Sequence, residues 1–446
     1  MHNSIAAIAT AHGVASISII RVSGHAALDI AHKISHLENI TPRHAHLTSL
    51  YNSNNDLIDH AIMIYFKGPH SFTGEEIVEF QCHGGMIVAQ EILDTITSYG
   101  ISLAQPGEFS KRAFLNGKID LTEAEAISKL IEAKSVDAAK ILAKQMKGEL
   151  KHFVDESRDA LLKSLAYSEV MIDYAEEDIP DDIMESITTQ LERLSTQIEH
   201  IVEASHRRRG LIEGFKVAII GKPNVGKSSL LNALLSYDRA IVSDIAGTTR
   251  DTIEEQVRIG SHIIRLVDTA GIRESEDTIE KIGIERTLDS VEDADVIIAL
   301  FDSSRAFDEE DVKILSILEN LEDKHIIIAL NKSDLDKRFD ISRLDAHELL
   351  EVSAKKSFVR LTQKLEDLFD SIGVEEELML ISARQIEAVT QARHAILEAK
   401  EPLLNGELEF FSYHLQEAVK FISSISKPYD SEEILDKMFG EFCLGK

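Results

Sequence analysis

Cysteine is scarce in this sequence, since only Cys82 and Cys443 occur among 446 residues. Two distant cysteines cannot supply the disulfide framework of a small secreted domain, and they suit a reducing compartment. No apolar run approaches the roughly 20 residues that a membrane-spanning helix needs. Met1–Ser18 lacks the basic and apolar pattern of a targeting peptide. We therefore expect a cytoplasmic protein with no membrane partner.

Basic residues are also few: 47 lysines and arginines are outnumbered by 77 acidic residues, and the net charge is −30. Such an excess of negative charge excludes the broad electrostatic attraction by which proteins coat nucleic acids. If RNA is a partner, its binding must be local. The one dense basic run, His206–Arg209, is either a solvated helix end before a linker or an RNA contact.

The chain is too long for a single hydrophobic core, because domains usually span about 100 to 200 residues. Short β-rich runs alternate with helical stretches at the start, and a helical pattern follows from a predicted capping box, Thr122–Glu125. An α/β alternation interrupts that pattern before it returns near the end. We predict a multidomain α/β plus α protein with an N-terminal α/β domain (1–118), a helical domain in two parts (119–212 and 374–446) and an inserted α/β domain (213–373).

A phosphate-binding loop opens the inserted domain. Gly221–Ser228 fits the pattern G-x-x-x-x-G-K-[ST] and lies between an apolar strand, Phe215–Ile220, and a helix, Ser229–Leu235. Its backbone amides and the helix N-terminus can hold phosphates, while Lys227 reaches the β and γ phosphates and the Ser228 hydroxyl can bind Mg²⁺. This setting predicts a nucleotide site.

Two segments after this loop have the features of nucleotide-sensing switches. Asp268–Gly271 follows a predicted strand and brings a carboxylate near Mg²⁺ and a glycine amide near the γ phosphate. Thr249 can close over Mg²⁺ only when the γ phosphate is present. The residue after Gly271 is Ile272, where GTPases resembling Ras carry a water-orienting glutamine. Catalysis must therefore come from elsewhere, with candidates in Arg273–Glu280, and the γ phosphate needs a cation.

Two further motifs select guanine. Asp334, in Asn331–Asp334, can accept both the imino and the amino hydrogens of guanine, which adenine lacks. Ser353–Lys355 can offer a backbone amide to the guanine keto oxygen. The inserted domain is thus predicted to be a Ras-like P-loop GTPase domain with a mostly parallel sheet and helices on both faces. We expect GTP or GDP to contact Asn224, Val225, Gly226, Lys227, Ser228, Ser229, Ser243, Asp244, Ile245, Ala246, Gly247, Thr248, Thr249, Asp268, Thr269, Ala270, Gly271, Asn331, Lys332, Asp334, Ser353, Ala354 and Lys355.

Over nearly its whole length the sequence resembles the MnmE (TrmE) family of tRNA-modifying GTPases. Segments outside the nucleotide motifs carry much of the resemblance, because ribosome-assembly GTPases lack most of them. They are Ser16–Gly24, Ser71–Glu76, Pro106–Ser110, Arg112–Lys118 and Phe442–Lys446.

The resemblance implies a folate-binding N-terminal domain, similar to that of one-carbon transferases, that forms a homodimer. By motif position, Arg21, Glu79, Lys118 and Lys446 would bind 5-formyl- or 5,10-methylene-tetrahydrofolate. With the flavoprotein MnmG, such a GTPase builds an aminomethyl or carboxymethylaminomethyl group on carbon 5 of the wobble uridine (position 34) of certain tRNAs.

The resemblance also implies how hydrolysis proceeds without the glutamine. Glu280 would orient the attacking water, and Ser228 and Thr249 would bind Mg²⁺. K⁺ would replace an arginine finger, held by Asn224, Ser243, Ile245 and Thr248. A role for Cys443 near the C-terminus is left open, because no neighbouring base is identifiable in the sequence.

Two other functions stay open at this point. The chain could be a GTP-dependent ribosome-assembly or stress-response switch without modification chemistry of its own. It could also be an N-terminal transferase that acts on a small molecule under control of the GTPase domain. Binding of a reduced folate would separate the first from a tRNA-modifying enzyme, and wobble-uridine analysis would separate the second.

Overall fold

Two compact units make up the chain in the computed structural model. The first contains Met1–Ile131, Lys144–Ser195 and Glu387–Lys446, and the second contains Glu132–Ala143 and Thr196–Ile386. The structure describes residues 3–11, 13–173, 181–237, 255–267, 291, 294–319, 321, 324–344, 349–373, 378–427, 432–440, 442 and 445.

A six-stranded sheet occupies the start of the first unit. Its strands are β1 (Ile5–Ile8), β2 (Ile17–Ser23), β3 (Ala45–Tyr51), β4 (Leu57–Phe66), β5 (Ile77–His83) and β6 (Ser102–Leu103). They lie in the order β3-β4-β5-β2-β1-β6. Neighbouring strands are antiparallel except for β1 and β6, which are parallel.

One face of this sheet packs against two helices, α1 (Ala27–Ser35) and α2 (Met86–Ser98). In β4, Ala61, Met63 and Tyr65 are buried in that core, while the residues between them are more exposed. Because successive side chains of a strand point to opposite faces, the alternation leaves the second face of the sheet available for a site.

Helices form the rest of the first unit. They are α3 (Glu108–Leu115), α4 (Leu121–Glu132), α6 (Glu149–Asp173), α12 (Leu408–Ser426) and α13 (Glu432–Gly440). Helix α5 (Val136–Met146) and the long helices α7 (Asp181–Glu213) and α11 (Ala383–Asn405) each contribute residues to both units. Helices α6 and α12 pack together, and the hydroxyls of Ser168 and Ser412 are 2.7 Å apart in their interface.

The start of α4 differs from the predicted capping box. Asp120 caps this helix, because Asp120 Oδ1 accepts from the Glu123 amide at 3.0 Å and Glu123 Oε2 accepts from the Asp120 amide at 2.8 Å. Thr122 is instead buried and donates its hydroxyl to Asp120. The predicted capping box Thr122–Glu125 was therefore wrong by two residues. Asp120–Glu123 and Thr122–Glu125 both fit the sequence pattern, and the burial of Thr122 favours Asp120 as the capping residue.

The second unit contains a six-stranded, mostly parallel sheet. Its strands are β7 (Phe215–Ile220), β8 (Glu255–Ile259), β9 (His262–Leu266), β10 (Val296–Asp302), β11 (His325–Asn331) and β12 (Leu349–Glu351). Their order is β12-β11-β10-β7-β9-β8, and only the edge strand β8 pairs antiparallel. The predicted mostly parallel sheet is thereby confirmed.

Helices cover both faces of this second sheet. Among the described residues these helices are α8 (Lys227–Tyr237), α9 (Glu309–Leu318) and α10 (Val359–Gly373). A short 3₁₀ turn at Ile341–Leu344 lies between β11 and β12. Alternate residues of β7 face separate cores: Val217 packs with residues of α8 and α10, and Ala218 packs with a residue of α9. In such a fold, ligands bind beyond the carboxyl ends of the parallel strands.

The basic run His206–Arg209 lies inside helix α7. Arg208 is buried, and Arg209 forms an ion pair of 2.8 Å with Glu213 one turn later. The run is therefore not a uniformly solvated helix end. Within the described part of the chain, no helix is both long enough and apolar enough to cross a membrane.

Candidate functional site

The phosphate-binding loop follows the buried strand β7 and leads into helix α8. Gly221 has φ 152° and Gly226 has φ 102°, conformations that side chains disfavour. A Cβ at Gly221 would collide with the Leu300 carbonyl oxygen, and one at Gly226 would collide with Asn331 Nδ2. Both positions therefore require glycine for two reasons: the backbone conformation, and the close approach of residues at the ends of the neighbouring strands.

Lys227, the first residue of α8, curls back into this loop. Its ammonium donates to the carbonyl oxygen of Gly221 at 2.6 Å and to that of Lys222 at 3.0 Å. Burial lowers the pKa of Lys227 from its ordinary value. Ser228 and Ser229 follow in the first turn of the helix, at the end where helix amides point toward a bound anion. The loop thus presents an ammonium and helix amides together.

Asn331 joins the phosphate-binding loop to the predicted guanine site. Its side chain is buried at the end of β11, where Nδ2 donates to the Val225 carbonyl oxygen at 2.8 Å. Oδ1 accepts from the Ala354 amide at 3.0 Å. One side chain therefore holds two of the loops that the sequence motifs identified as nucleotide contacts.

Lys332 makes a second bridge to the same loop. It has φ 61°, and its ammonium donates to the Asn224 carbonyl oxygen at 2.9 Å and to Asp302 Oδ2 at 2.6 Å. Asp302 is almost fully buried at the end of β10. Burial would raise the pKa of Asp302, but the bond from Lys332, together with those from Ser304, lowers it below its ordinary value. The aspartate is thus a charged anchor for Lys332.

Asp334 lines a cavity of about 280 Å³ together with Ser333, Glu351, Ser353, Lys356, Ser357 and Arg360. The Ser353 hydroxyl donates to Asp334 Oδ1 at 2.8 Å, and Lys356 Nζ lies 3.5 Å from Oδ2. The bond from Ser353 lowers the pKa of Asp334, which keeps the carboxylate ionised. An ionised carboxylate in a cavity is what recognition of two adjacent N–H donors requires. Lys355 lies exposed beside Ala354.

Several residues of the predicted nucleotide, catalytic and folate sets, and Cys443 with its open role, lie outside the described residues. These positions are Ser243, Asp244, Ile245, Ala246, Gly247, Thr248, Thr249, Asp268, Thr269, Ala270, Gly271, Glu280, Cys443 and Lys446. Both switch segments and the last residue of the chain belong to this set. Their predicted roles stay predictions.

In the first unit, Arg21 and Glu79 form a second cluster of charged side chains. They are cross-strand partners on β2 and β5 and lie on the face opposite the α1 and α2 helices. Arg21 Nη2 is 2.8 Å from Glu79 Oε1, and Nε donates to the same oxygen at 2.9 Å. The guanidinium also lies 5.9 Å from the ring centre of Phe72 and 5.7 Å from that of Phe109. The ion pair thus lies beside the partly exposed ring of Phe72 and above the buried ring of Phe109.

The loop that precedes β5 connects Lys118 to this surface. The Ser23 hydroxyl, two residues from Arg21 on the same strand, lies 2.7 Å from the Thr73 hydroxyl. Asn116 Nδ2 donates to the Thr73 carbonyl oxygen at 2.7 Å. Next in the chain, Gly74 has φ 79°, and a Cβ there would lie 3.2 Å from Lys118 Cγ. Three of the four predicted folate residues therefore belong to one connected region.

The C-terminal segment returns to this sheet. Gly445 has φ 88°, and a Cβ on it would lie 2.6 Å from the carbonyl oxygen of Ile8, at the end of β1. Ile8 pairs with Ile20, next to Arg21. The residue before the predicted folate ligand Lys446 is thus packed against the strand that neighbours β2.

Three charged residues that the sequence did not single out take part in these sites. Lys222 and Asp302 support the nucleotide loops, as the distances around them show. Arg112 is buried below the N-terminal surface, where it pairs with Glu75 at 3.1 Å and with Glu108 at 2.8 Å. Arg112 lies in a segment that carried the family resemblance, but nothing in its spacing predicts that it is buried.

Comparison with known proteins covers both units. A family model described as the GTP-binding protein TrmE N-terminus matches residues 4–118, and one described as the MnmE helical domain matches residues 121–443. A tRNA modification GTPase MnmE from Sulfurovum sp. (strain NBC37-1) is 84% identical over 446 residues, covering 100% of this chain and 99% of the relative. The chain belongs to the MnmE family of tRNA modification GTPases.

Other MnmE proteins match over a similar extent. Those of Aliarcobacter butzleri and Sulfurimonas denitrificans are each 58% identical over 445 residues, and each comparison covers 100% of this chain and 99% of the relative. Membership of the MnmE family confirms the predicted fold class and the prediction that the chain is a GTPase. The individual ligand contacts and the bounds of the four predicted segments stay predictions.

Proposed function

We propose that this chain hydrolyses GTP and that the reaction serves the modification of tRNA. The observation that carries the proposal is the buried Asn331 side chain, which joins Val225 of the phosphate-binding loop to Ala354 beside the cavity. Asp334 in that cavity is suited to accept the imino and amino hydrogens of guanine. The MnmE relatives, which are tRNA modification GTPases, support tRNA as the molecule that is modified.

In this proposal the phosphates bind the amides of Asn224–Ser229, and Lys227 neutralises the β and γ phosphates. The position of its ammonium inside the loop supports this role. Mg²⁺ would be held by Ser228 and Thr249 together with the phosphates. The donor set fits, because Mg²⁺ in nucleotide sites takes few protein ligands and keeps several waters.

Hydrolysis needs a group that orients water and one that stabilises the charge developing on the γ phosphate. We assign the first role to Glu280. The second goes to K⁺, held by Asn224 with Ser243, Ile245 and Thr248 of the first switch. Two observations support the Asn224 assignment: Asn224 has φ 66°, and its carbonyl oxygen accepts from Lys332, which ties this residue of the phosphate-binding loop to the end of β11.

The N-terminal domain would bind 5-formyl- or 5,10-methylene-tetrahydrofolate as the source of the one-carbon unit. Arg21 and Lys118 suit the glutamate carboxylates of the folate, and Glu79 suits hydrogen-bond donors of the pterin ring. The half-buried ring of Phe72 beside Arg21 supplies apolar surface for a flat heterocycle, and the buried ring of Phe109 packs beside the same guanidinium. Packing of Gly445 against Ile8 supports a contribution from Lys446.

Two protein partners belong to the proposal. A second copy of the chain would bind through the N-terminal domain, where the outer face of the sheet exposes apolar side chains. Leu47 is 79% exposed there, and its cross-strand neighbour Ile62 is 39% exposed. The flavoprotein MnmG would supply redox chemistry for carbon 5 of the wobble uridine.

Nucleoside analysis of tRNA tests the proposal. A strain without this gene should lack the aminomethyl-type groups on wobble uridines, and the wild-type gene should restore them. A gene carrying Lys227→Ala should not restore them, because the phosphate-binding ammonium is lost, while exposed Lys313→Ala should behave as wild type. Unchanged wobble uridines in the deletion strain would favour the alternative, a GTP-dependent assembly or stress-response switch.

A further inference from the structure

Lys222 is the second residue of the phosphate-binding loop, and its side chain is buried rather than offered to a ligand. Only 5% of the side chain is exposed. Its ammonium lies 2.6 Å from Asp308 Oδ2 and 2.7 Å from Asp311 Oδ2. Asp311 is itself 1% exposed, whereas Asp308 is half exposed. The loop is thus tied to the start of helix α9 by one lysine and two carboxylates.

The two carboxylates are fixed by their own helix. Asp308 is the N-cap of α9, and its Oδ1 accepts from the amides of Glu310 and Asp311. Asp311 completes a capping box, because its Oδ2 accepts from the Asp308 amide at 3.1 Å. A capping box locks both side chains in one arrangement. Lys222 therefore contacts a rigid anchor instead of two mobile surface groups.

The buried charge of Asp311 is compensated by the ammonium of Lys222. Burial by itself would lower the pKa of Lys222, but the hydrogen bonds to Asp308 and Asp311 outweigh it and raise the pKa, so the ammonium stays charged. The second oxygen of Asp311 is buried and has no hydrogen-bond partner in the part of the chain that the structure describes. Removing one member of a buried ion pair leaves the other uncompensated, and this is strongly destabilising.

The backbone of Lys222 carries this anchor to the phosphate site. Its carbonyl oxygen accepts from the Lys227 ammonium at 3.0 Å, next to the Gly221 carbonyl oxygen at 2.6 Å. We propose that Lys222 is a positioning residue: held by Asp308 and Asp311, it keeps the phosphate-binding loop in its nucleotide-binding form and keeps Lys227 in place. The inference rests on the proposed binding of GTP and adds to it a residue that does not touch the ligand.

The expected effect follows from the population of the binding form. A loop without its anchor populates several conformations, and only one of them binds the nucleotide. The apparent dissociation constant rises in inverse proportion to the fraction of molecules in that conformation. If about a tenth of the molecules keep the binding form, the dissociation constant for GDP rises about tenfold. Lys222→Arg keeps a charge and several donors, so it should stay within about threefold of wild type.

The test separates positioning from mere stability. The full-length chain is titrated with a fluorescent GDP analogue, and the melting temperature of the nucleotide-free chain is measured in parallel. Lys222→Met should weaken binding and lower the melting temperature. The double variant Lys222→Met with Asp311→Asn removes both buried charges, so the melting temperature should recover while binding stays about tenfold weaker. Lys313→Met, exposed on the same helix, is the control.

The outcomes have separate meanings. If the double variant binds GDP as tightly as wild type, Lys222 is only a structural residue and the inference is wrong. If Lys222→Met fails to fold, two other variants still test the inference: the double variant and Asp308→Asn, whose side chain is half exposed. Each removes a contact that anchors the loop without leaving the charge of Asp311 unpaired. Failure of the wild-type chain to bind GDP would overturn the proposed function and this inference with it.

Discussion

In the nucleotide domain, the lysines of the binding loops donate to backbone carbonyls and to buried carboxylates, whereas in the N-terminal domain Arg21 and Glu79 pair with each other. Lys222 forms an ion pair with Asp311, and Lys332 forms one with Asp302; both aspartates are almost fully buried. The charges of Lys222 and Lys332 thus hold loops in place, whereas Arg21 and Glu79 pair with each other inside a predicted ligand site.

This difference has a physical consequence for binding. A loop held by its own protein partners keeps its geometry without a ligand, so little ordering has to accompany nucleotide binding. A paired arginine and glutamate must exchange part of their mutual bond for bonds to the ligand, and only the difference contributes to affinity. Substitutions should therefore affect the two sites differently.

Asp334→Asn should change the preferred base. An amide presents one donor and one acceptor, whereas guanine presents two donors, so one guanine donor is left facing another donor. We expect the preference for GTP over xanthosine triphosphate to fall by a factor on the order of 10⁴. Competition binding with both nucleotides measures it, and exposed Asp336→Asn is the matched control. Unchanged GTP affinity would contradict the assignment of Asn331–Asp334 to base recognition.

Glu280→Gln and Glu280→Ala should slow GTP hydrolysis by about a hundredfold or more, the scale for loss of a positioned acid–base group. Nucleotide affinity should stay close to wild type, because a water-orienting group acts mainly in the transition state. Single-turnover rates and GDP binding measured on the same preparations separate the two effects. Exposed Glu319→Ala serves as control, and full activity in both Glu280 variants would show that another residue orients the water.

Replacing K⁺ by Na⁺ at constant ionic strength should slow hydrolysis about tenfold. This effect is smaller than the loss of a charge-stabilising group would cause, because Na⁺ carries the same charge. Backbone carbonyls of Ser243–Thr248 with the Asn224 amide oxygen would form a wide cage that the smaller ion contacts poorly. Turnover in matched buffers measures the effect. Equal rates in the two salts, or a full K⁺ effect in Asn224→Ala, would contradict the proposed cation site.

Arg21→Met and Glu79→Gln should each weaken binding of 5-formyl-tetrahydrofolate about tenfold. This factor is at the lower end of the range for a hydrogen bond to a charged group, because Arg21 and Glu79 already form a bond with each other when no ligand is bound. The double variant should lose less than the sum of the two. Calorimetric titration of the four chains measures this coupling. GDP affinity should not change in any of them, and fully additive losses would mean that the two side chains act separately.

The sequence predicted those parts of the molecule that contiguous motifs determine. Strand Phe215–Ile220 has the predicted bounds, and the phosphate-binding motif follows it directly. The helix after the strand was predicted as Ser229–Leu235, but it is longer and begins inside the motif, at Lys227. Such motifs are readable because each glycine or lysine meets a local requirement of the backbone or of a phosphate. The resemblance to the MnmE family, carried by segments at both ends, is confirmed by relatives that match the full chain.

Features that depend on distant contacts were not predictable. Lys222 occupies a variable position of the loop pattern, and only its packing against Asp311, 89 residues away, makes it an anchor. Arg112 is similar, because its partner Glu75 is 37 residues away. The capping box at α4 was placed two residues late because Asp120 and Thr122 both precede a glutamate by three positions. Burial chose between them, and burial is a tertiary property.

The most direct test of the account titrates one preparation of the full-length chain with two ligands, GDP and 5-formyl-tetrahydrofolate. A tRNA-modifying GTPase should bind both, each at one site per chain and each with an affinity independent of the other in the absence of GTP. Binding of GDP without any binding of the folate would contradict the account, because a GTP-dependent assembly switch has no need of a one-carbon carrier.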